Sequence, residues 1–173
     1  MRALALLSLP LWLSACATAP AGNGSTAGSS SNTATATQTQ SFIAAMEAKR
    51  GSALTLAERL QVQGLTGTAK VGLNNTQNNF LNKIGAQVGL DGAVIAALFP
   101  EAGKPLSETA VVAKIESRLG KKLAAADQAA VKTATALRNN SLASLKTGLA
   151  ASIGSRIGLS TEVVLALMPM LGL

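Results

Sequence analysis

The sequence predicts an all-α fold, and three observations carry that expectation. Apolar residues recur at helical spacing, as in Val111, Val112, Ile115 and Leu119, or Leu142, Leu145, Leu149, Ile153 and Ile157. Capping residues and glycines bracket those runs where helices should start and stop. No stretch alternates convincingly at period two, so the signature of a half-buried strand is missing.

Taken in chain order, the first element is a short apolar run. Met1 and Arg2 form a minimal positive start, and Ala3 to Trp12 are apolar apart from Ser8 and Pro10. The run ends at Leu13-Ser14-Ala15-Cys16, too soon to span a bilayer, and has the layout of a secretory signal. Leu13-Ser14-Ala15-Cys16 resembles the lipobox of bacterial lipoproteins. The resemblance covers these signal residues alone. It implies cleavage between Ala15 and Cys16 and acylation of the new N-terminal thiol, and hence a membrane anchor through that lipid. Ala17 follows, where Asp is the usual inner-membrane retention signal in enteric-type lipoproteins. In a two-membrane envelope the resemblance therefore implies an outer-membrane lipoprotein facing the periplasm. Cys16 is the sole cysteine, so no disulfide can staple the fold.

The second element, residues 16–41, reads as a flexible linker. Residues 17–41 contain no charge and are dominated by Gly, Ser, Thr, Ala and Gln. Such a stretch buries too little apolar surface to offset the entropy of ordering it. Its expected root-mean-square span is about 27 Å.

The third element, residues 42–173, reads as a duplicated helical domain. Residues 84–100, IGAQVGLDGAVIAALFP, align without a gap on residues 153–169, IGSRIGLSTEVVLALMP, with 8 identities in 17 positions. Extended to 42–100 against 111–169, the same 69-residue shift gives 16 identities in 59 positions. Apolar substitutions between copies mark the expected core: Phe42/Val111, Met46/Ile115, Phe80/Leu149, Val88/Ile157, Ile95/Val164 and Phe99/Met168.

Within the second copy, Ser107 is the expected N-cap of a helix closed by Gly120. An Ala-rich helix over 124–138 is expected to end near Asn139-Asn140. A third spans about 142–157, ending at Gly158, and Ser160 caps a last one that ends at Pro169. In the first copy Gly51 ends the first helix, Thr55-x-x-Glu58 opens the second as a capping box, and Asp91 and Pro100 bracket the last. Gly64, Gly67 and Gly72 predict a break or kink in its second helix. Eight helices in two quasi-equivalent units of about four follow. The last helices are expected to bury Leu98 and Leu167 against each other. In Gly85-x-x-x-Gly89 and Gly154-x-x-x-Gly158, close packing is expected at the first glycine and a C-cap at the second.

Composition narrows the chemistry. The 173 residues are 48% hydrophobic and 13% charged, and they include no His and no Tyr. Histidine-dependent triads, Cys-His pairs and the usual zinc ligand sets are thereby excluded. No Ser-x-x-Lys arrangement occurs. No metal site, cofactor or catalytic residue is assigned, and a non-enzymatic role is expected, although acid pairs for glycoside hydrolysis remain possible in principle. A formal charge of +7 favours contact with anionic lipid, lipopolysaccharide or glycan. Lys114, Arg118, Lys121 and Lys122 form a basic cluster confined to the second copy. It reads either as an anionic-surface contact or as cations complementing a helix C-terminus, and the second reading is preferred. Nucleic acid is excluded as a partner by the implied compartment and by the lack of an aromatic stacking platform.

The leading functional expectation is an envelope lipoprotein whose helical domain binds another envelope protein or supports an assembly. The alternative is a periplasmic carrier holding an apolar ligand between the two units. The apolar segment Met168-Pro169-Met170-Leu171-Gly172-Leu173 keeps a membrane-active role in view.

Overall fold

The computed structural model describes residues 29–173. The signal segment 1–15, Ala15 and Cys16 at its cleavage point, and residues 16–28 of the expected linker lie outside the described residues. Those described form six α-helices and a closing 3-10 turn, with no strand. The helices are α1 (Ser29–Arg50), α2 (Leu56–Val88), α3 (Gly92–Leu98), α4 (Glu108–Leu119), α5 (Ala125–Ile157) and α6 (Thr161–Leu167), and the 3-10 turn is Met168–Leu171.

Local signals set most boundaries. Thr55 and Glu58 form the full capping box: the Glu58 N–H donates to the Thr55 hydroxyl at 3.2 Å, and the Thr55 N–H donates to the Glu58 carboxylate at 2.7 Å. Asp91, Ser107 and Ser160 cap α3, α4 and α6, each accepting an N–H from the first turn. Gly89 and Gly158 close the two long helices in the left-handed conformation, at φ 68° and 71°, which a residue with Cβ adopts at a cost. One turn earlier, a Cβ at Gly85 would lie 2.8 Å from the Leu90 carbonyl oxygen, and one at Gly154 would lie 2.5 Å from that of Leu159. The first glycine of each pair thus lets the chain fold back tightly on its own helix end.

Three expectations are corrected. The long helices α2 and α5 each run unbroken for 33 residues, about 50 Å, where two shorter helices were expected in each unit. At Asn139 the side chain is committed elsewhere: its Oδ1 accepts the Leu106 N–H and its Nδ2 donates to the Leu106 carbonyl, at 3.0 and 2.8 Å. It therefore does not compete for its own helix backbone. In α2, Gly72 sits against Leu145 Cδ1 of α5, and Val62, Ala69 and Leu73 bury the face opposite the open Gly64 and Gly67, so packing of that face holds the helix. Second, α1 begins at Ser29, inside the segment whose composition predicts a linker.

The third correction concerns the core. α2 and α5 lie antiparallel, with Gly72 against Leu145, Gln77 bonded to Arg138 and Gln87 bonded to Asp127. Two apolar clusters form at opposite ends of this pair. The first joins Phe42, Met46 and Val62 to Ile153, Ile157, Val164 and Met168. The second joins Phe80, Ile84, Ile95 and Phe99 to Val111, Ile115 and Val131. Each cluster therefore draws on the beginning of one sequence half and the end of the other. α3 and α6 fall in different clusters and do not face one another, so Leu98 and Leu167 are only half-buried. The buried positions are instead Ile95 and Val164, three residues earlier in those helices, and Phe99 and Met168, which directly follow them. Of the twelve positions marked by apolar exchange under the 69-residue shift, all but half-buried Val88 are buried.

Candidate functional site

Two surface features combine chemistry with shape. The first lies where α3 meets α4. The exposed Ala93 and Ala97 and the half-buried Val94 and Leu98 of α3 form an apolar floor, and Lys114, Ser117 and Arg118 of α4 form its wall. The space is a pair of overlapping shallow depressions of about 450 and 500 Å³.

The structure separates the four members of the basic cluster. Lys114 Nζ donates to the Leu98 carbonyl at 3.3 Å and sits 5.5 Å from the centre of the Phe99 ring, a cation–π contact. Lys122 pairs with Glu116 at 2.7 Å. Arg118 and Lys121 project into solvent with no carboxylate partner among the described residues. Only Lys114 and Arg118 line the depression against α3; Lys121 and Lys122 line a neighbouring one with Ala113 and Ser117.

Glu116 is a structural carboxylate. It accepts from Lys122, from the Leu123 N–H at 3.1 Å and from Gln128 at 3.1 Å. These bonds, Lys122 foremost, hold its carboxyl below the usual glutamate range. Glu47 does the same work at the end of α1, accepting the Leu54 N–H at 2.9 Å and the Arg59 guanidinium at 2.7 Å, and its carboxyl is lowered chiefly by the Leu54 bond.

The second feature is the middle of the α2–α5 pair. Arg138 is buried there with no carboxylate partner. Its Nε donates to Gln77 Oε1 at 2.8 Å, and its two terminal nitrogens donate to the carbonyls of Glu101, Ala102 and Lys104 at 2.8–3.0 Å. A further bond to Asn139 Oδ1 and a 5.3 Å approach to the Phe80 ring complete its surroundings. Burial pushes the guanidinium below its ordinary value, yet it stays charged because so many oriented carbonyls face it. All its donors are spent within the protein, so it clamps the 101–104 segment onto α5 and has none left for a ligand. A depression of about 230 Å³ beside it is lined by Thr76, Asn79, Lys83 and Ser141 as well as Phe80, Ala134 and Leu137.

Sequence reasoning missed Arg138 and Gln77. The available signal was that the 69-residue shift sets Arg138 against Ala69, a long cation against a small apolar residue. It also missed the exposed apolar face of α2, where Leu56, Leu60 and Val71 stand 75%, 58% and 60% exposed. Gly64 and Gly67 fall on the same face and open onto empty space. Among the described residues no His/Cys/Asp/Glu group could hold a metal ion, and no single helix is long and apolar enough to cross a membrane. Comparison of the chain with protein-family models, curated proteins and solved structures finds no match.

Proposed function

We propose that this chain is a non-enzymatic bacterial envelope lipoprotein, anchored through acylated Cys16, whose duplicated helical domain is a protein-binding module. The observation that carries the binding role is the exposed face of α2. Leu56, Leu60 and Val71 lie within one narrow arc of the helix, and the open glycines between them leave room for another backbone to come close. Isolated exposed leucines are ordinary, but Leu56, Leu60 and Val71 share one helix face with two open glycines between them, a surface suited to a partner.

The anchor rests on the resemblance of Leu13-Ser14-Ala15-Cys16 to a lipobox, and outer-membrane placement rests on Ala17. Support for the duplication comes from paired features at a constant offset of 69 residues. The bounds of α2 and α5 and those of α3 and α6 are related by it. So are Glu47 and Glu116, each holding the N–H of a leucine seven residues on, and Gly85 and Gly154, each folded against a carbonyl five residues on. The carrier reading has less support, since the depression between α2 and α5 is small and open, about 230 Å³, with Lys83 and Arg138 at its edge.

The test is mass spectrometry of the mature protein together with in-situ crosslinking. An acylated N-terminal Cys16 and protein adducts through α2 are expected. A mature terminus elsewhere ends the lipoprotein reading; co-purified lipid inside the domain, with no protein adducts, favours the carrier.

A further inference from the structure

We infer that the depression between α3 and α4 is a second docking surface, and that it takes an acidic amphipathic helix of a partner protein. The inference rests on the protein-binding reading above but on a different face of the molecule.

Charge complementarity carries it. Lys114 and Arg118 stand one helical turn apart on α4, about 6 Å along its axis, and Lys121 continues the basic edge beyond Gly120. Carboxylates at i and i+4 on a docked helix repeat that spacing. No acidic side chain lines the depression against α3. Glu116, the nearest carboxylate on α4, is turned to Lys122, Leu123 and Gln128, so it does not neutralise Arg118. Lys114 is held at the wall by the Leu98 carbonyl and the Phe99 ring, which fixes one cation before any partner arrives.

Shape decides between a helix and a lipid surface. Val94 and Leu98 are half-buried at the floor, recessed between two helices. A flat anionic bilayer draws on the exposed Arg118 and Lys121 and touches only Ala93 and Ala97 of the floor, leaving half-buried Val94 and Leu98 little used. A rod-shaped segment reaches both, laying its apolar stripe on Ala97 and Leu98 and its acidic edge along α4. Dipole complementation at the end of α4 accounts for cations there, yet leaves the apolar floor beside them unexplained.

The experiment uses the full chain, acylated in its native envelope, with a photo-crosslinking residue at Ala97 or, as a reference, at Leu60. The expected result is an Ala97 adduct whose crosslinked peptide is acidic and carries apolar residues at i, i+3 or i+4 spacing. The double variant Arg118→Glu/Lys121→Glu should lower that adduct's yield about tenfold, because like charges then face each other, and leave the Leu60 adduct unchanged. Both side chains are exposed, and an unchanged circular dichroism spectrum verifies that the variant folds. An Ala97 adduct with lipid or glycan, or with a neutral or basic peptide, overturns the inference. So does an acidic adduct indifferent to the charge reversal. Protein adducts at Leu60 alone overturn the inference and leave the binding module standing; no protein adduct at either position overturns both.

Discussion

Gln77 of α2 and Arg138 of α5 meet at 2.8 Å across the middle of the molecule, and between them they tie three segments together. Gln77 Nε2 donates to the Phe99 carbonyl at 2.8 Å, fixing the end of α3. Arg138 holds the 101–104 segment by three carbonyls. Gly103 within that segment is pressed so closely on the Gly172 carbonyl that no Cβ fits there. The crossing of the long helices, the link between the sequence halves and the chain's last residues are thus organised around one buried cation.

Replacing that cation should be costly. Arg138→Ala leaves Gln77 and the carbonyls of Glu101, Ala102 and Lys104 without their donor in a buried site. A loss of about 3 kcal/mol is expected, read from the shift of the urea midpoint at constant slope. Arg138→Met, which keeps an unbranched apolar side chain in the site but no donor, should recover only part of it. A variant as stable as the parent would show that these bonds contribute nothing net.

Glycines in the long helices should respond to alanine with opposite signs. Gly64 and Gly67 open onto empty space in the interior of α2's first half, so Gly64→Ala and Gly67→Ala should each stabilise by about 0.5–1 kcal/mol. Gly154→Ala puts a Cβ against the Leu159 carbonyl, backbone that cannot move aside, and should destabilise by about 1–3 kcal/mol. Thermal melts of the three variants separate these outcomes.

Core truncations should follow burial, not apolarity. Ile95 and Met168 are fully buried, and alanine at either should cost about 2–5 kcal/mol. Leu98 and Leu167, half-buried, should lose about 1 kcal/mol each. Equal losses at all four sites in denaturant titrations would contradict the packing described.

Acid should weaken the fold through its cap carboxylates. Glu47, Glu58 and Glu116 all have carboxyls held below the ordinary range, Glu47 by the Leu54 N–H, Glu58 by the Thr55 N–H and Glu116 by Lys122. Because the folded values lie below the unfolded ones, the stabilisation is complete above about pH 4.3. It is lost as pH falls through the lowered values. Urea midpoints should therefore be flat near neutrality and fall with acidification. Glu116→Gln should lower the neutral midpoint and flatten part of that fall.

The helical class and the punctuation of the elements were legible in local patterns of the chain. Caps at Thr55, Asp91, Ser107 and Ser160 and glycine stops at Gly89 and Gly158 depend on bonds and dihedrals within a few residues, so they are readable locally. The buried positions were also legible at residues such as Phe42, Met46, Ile115 and Val164, because an apolar side chain on a periodic face must be covered by something. What covers it is a tertiary matter. The Asn139-Asn140 break fails because Asn139 finds Leu106, a residue 33 positions away. α2 stays helical through its glycines because α5 packs along it. Leu98 and Leu167 lie on apolar helices, but the antiparallel crossing of α2 and α5 sends α3 and α6 to opposite ends. Only that crossing decided that each apolar cluster would be built from the beginning of one half and the end of the other. Hydrophobic pattern specifies which face is buried; the partner of that face is fixed by long-range packing, whose register no local stretch encodes.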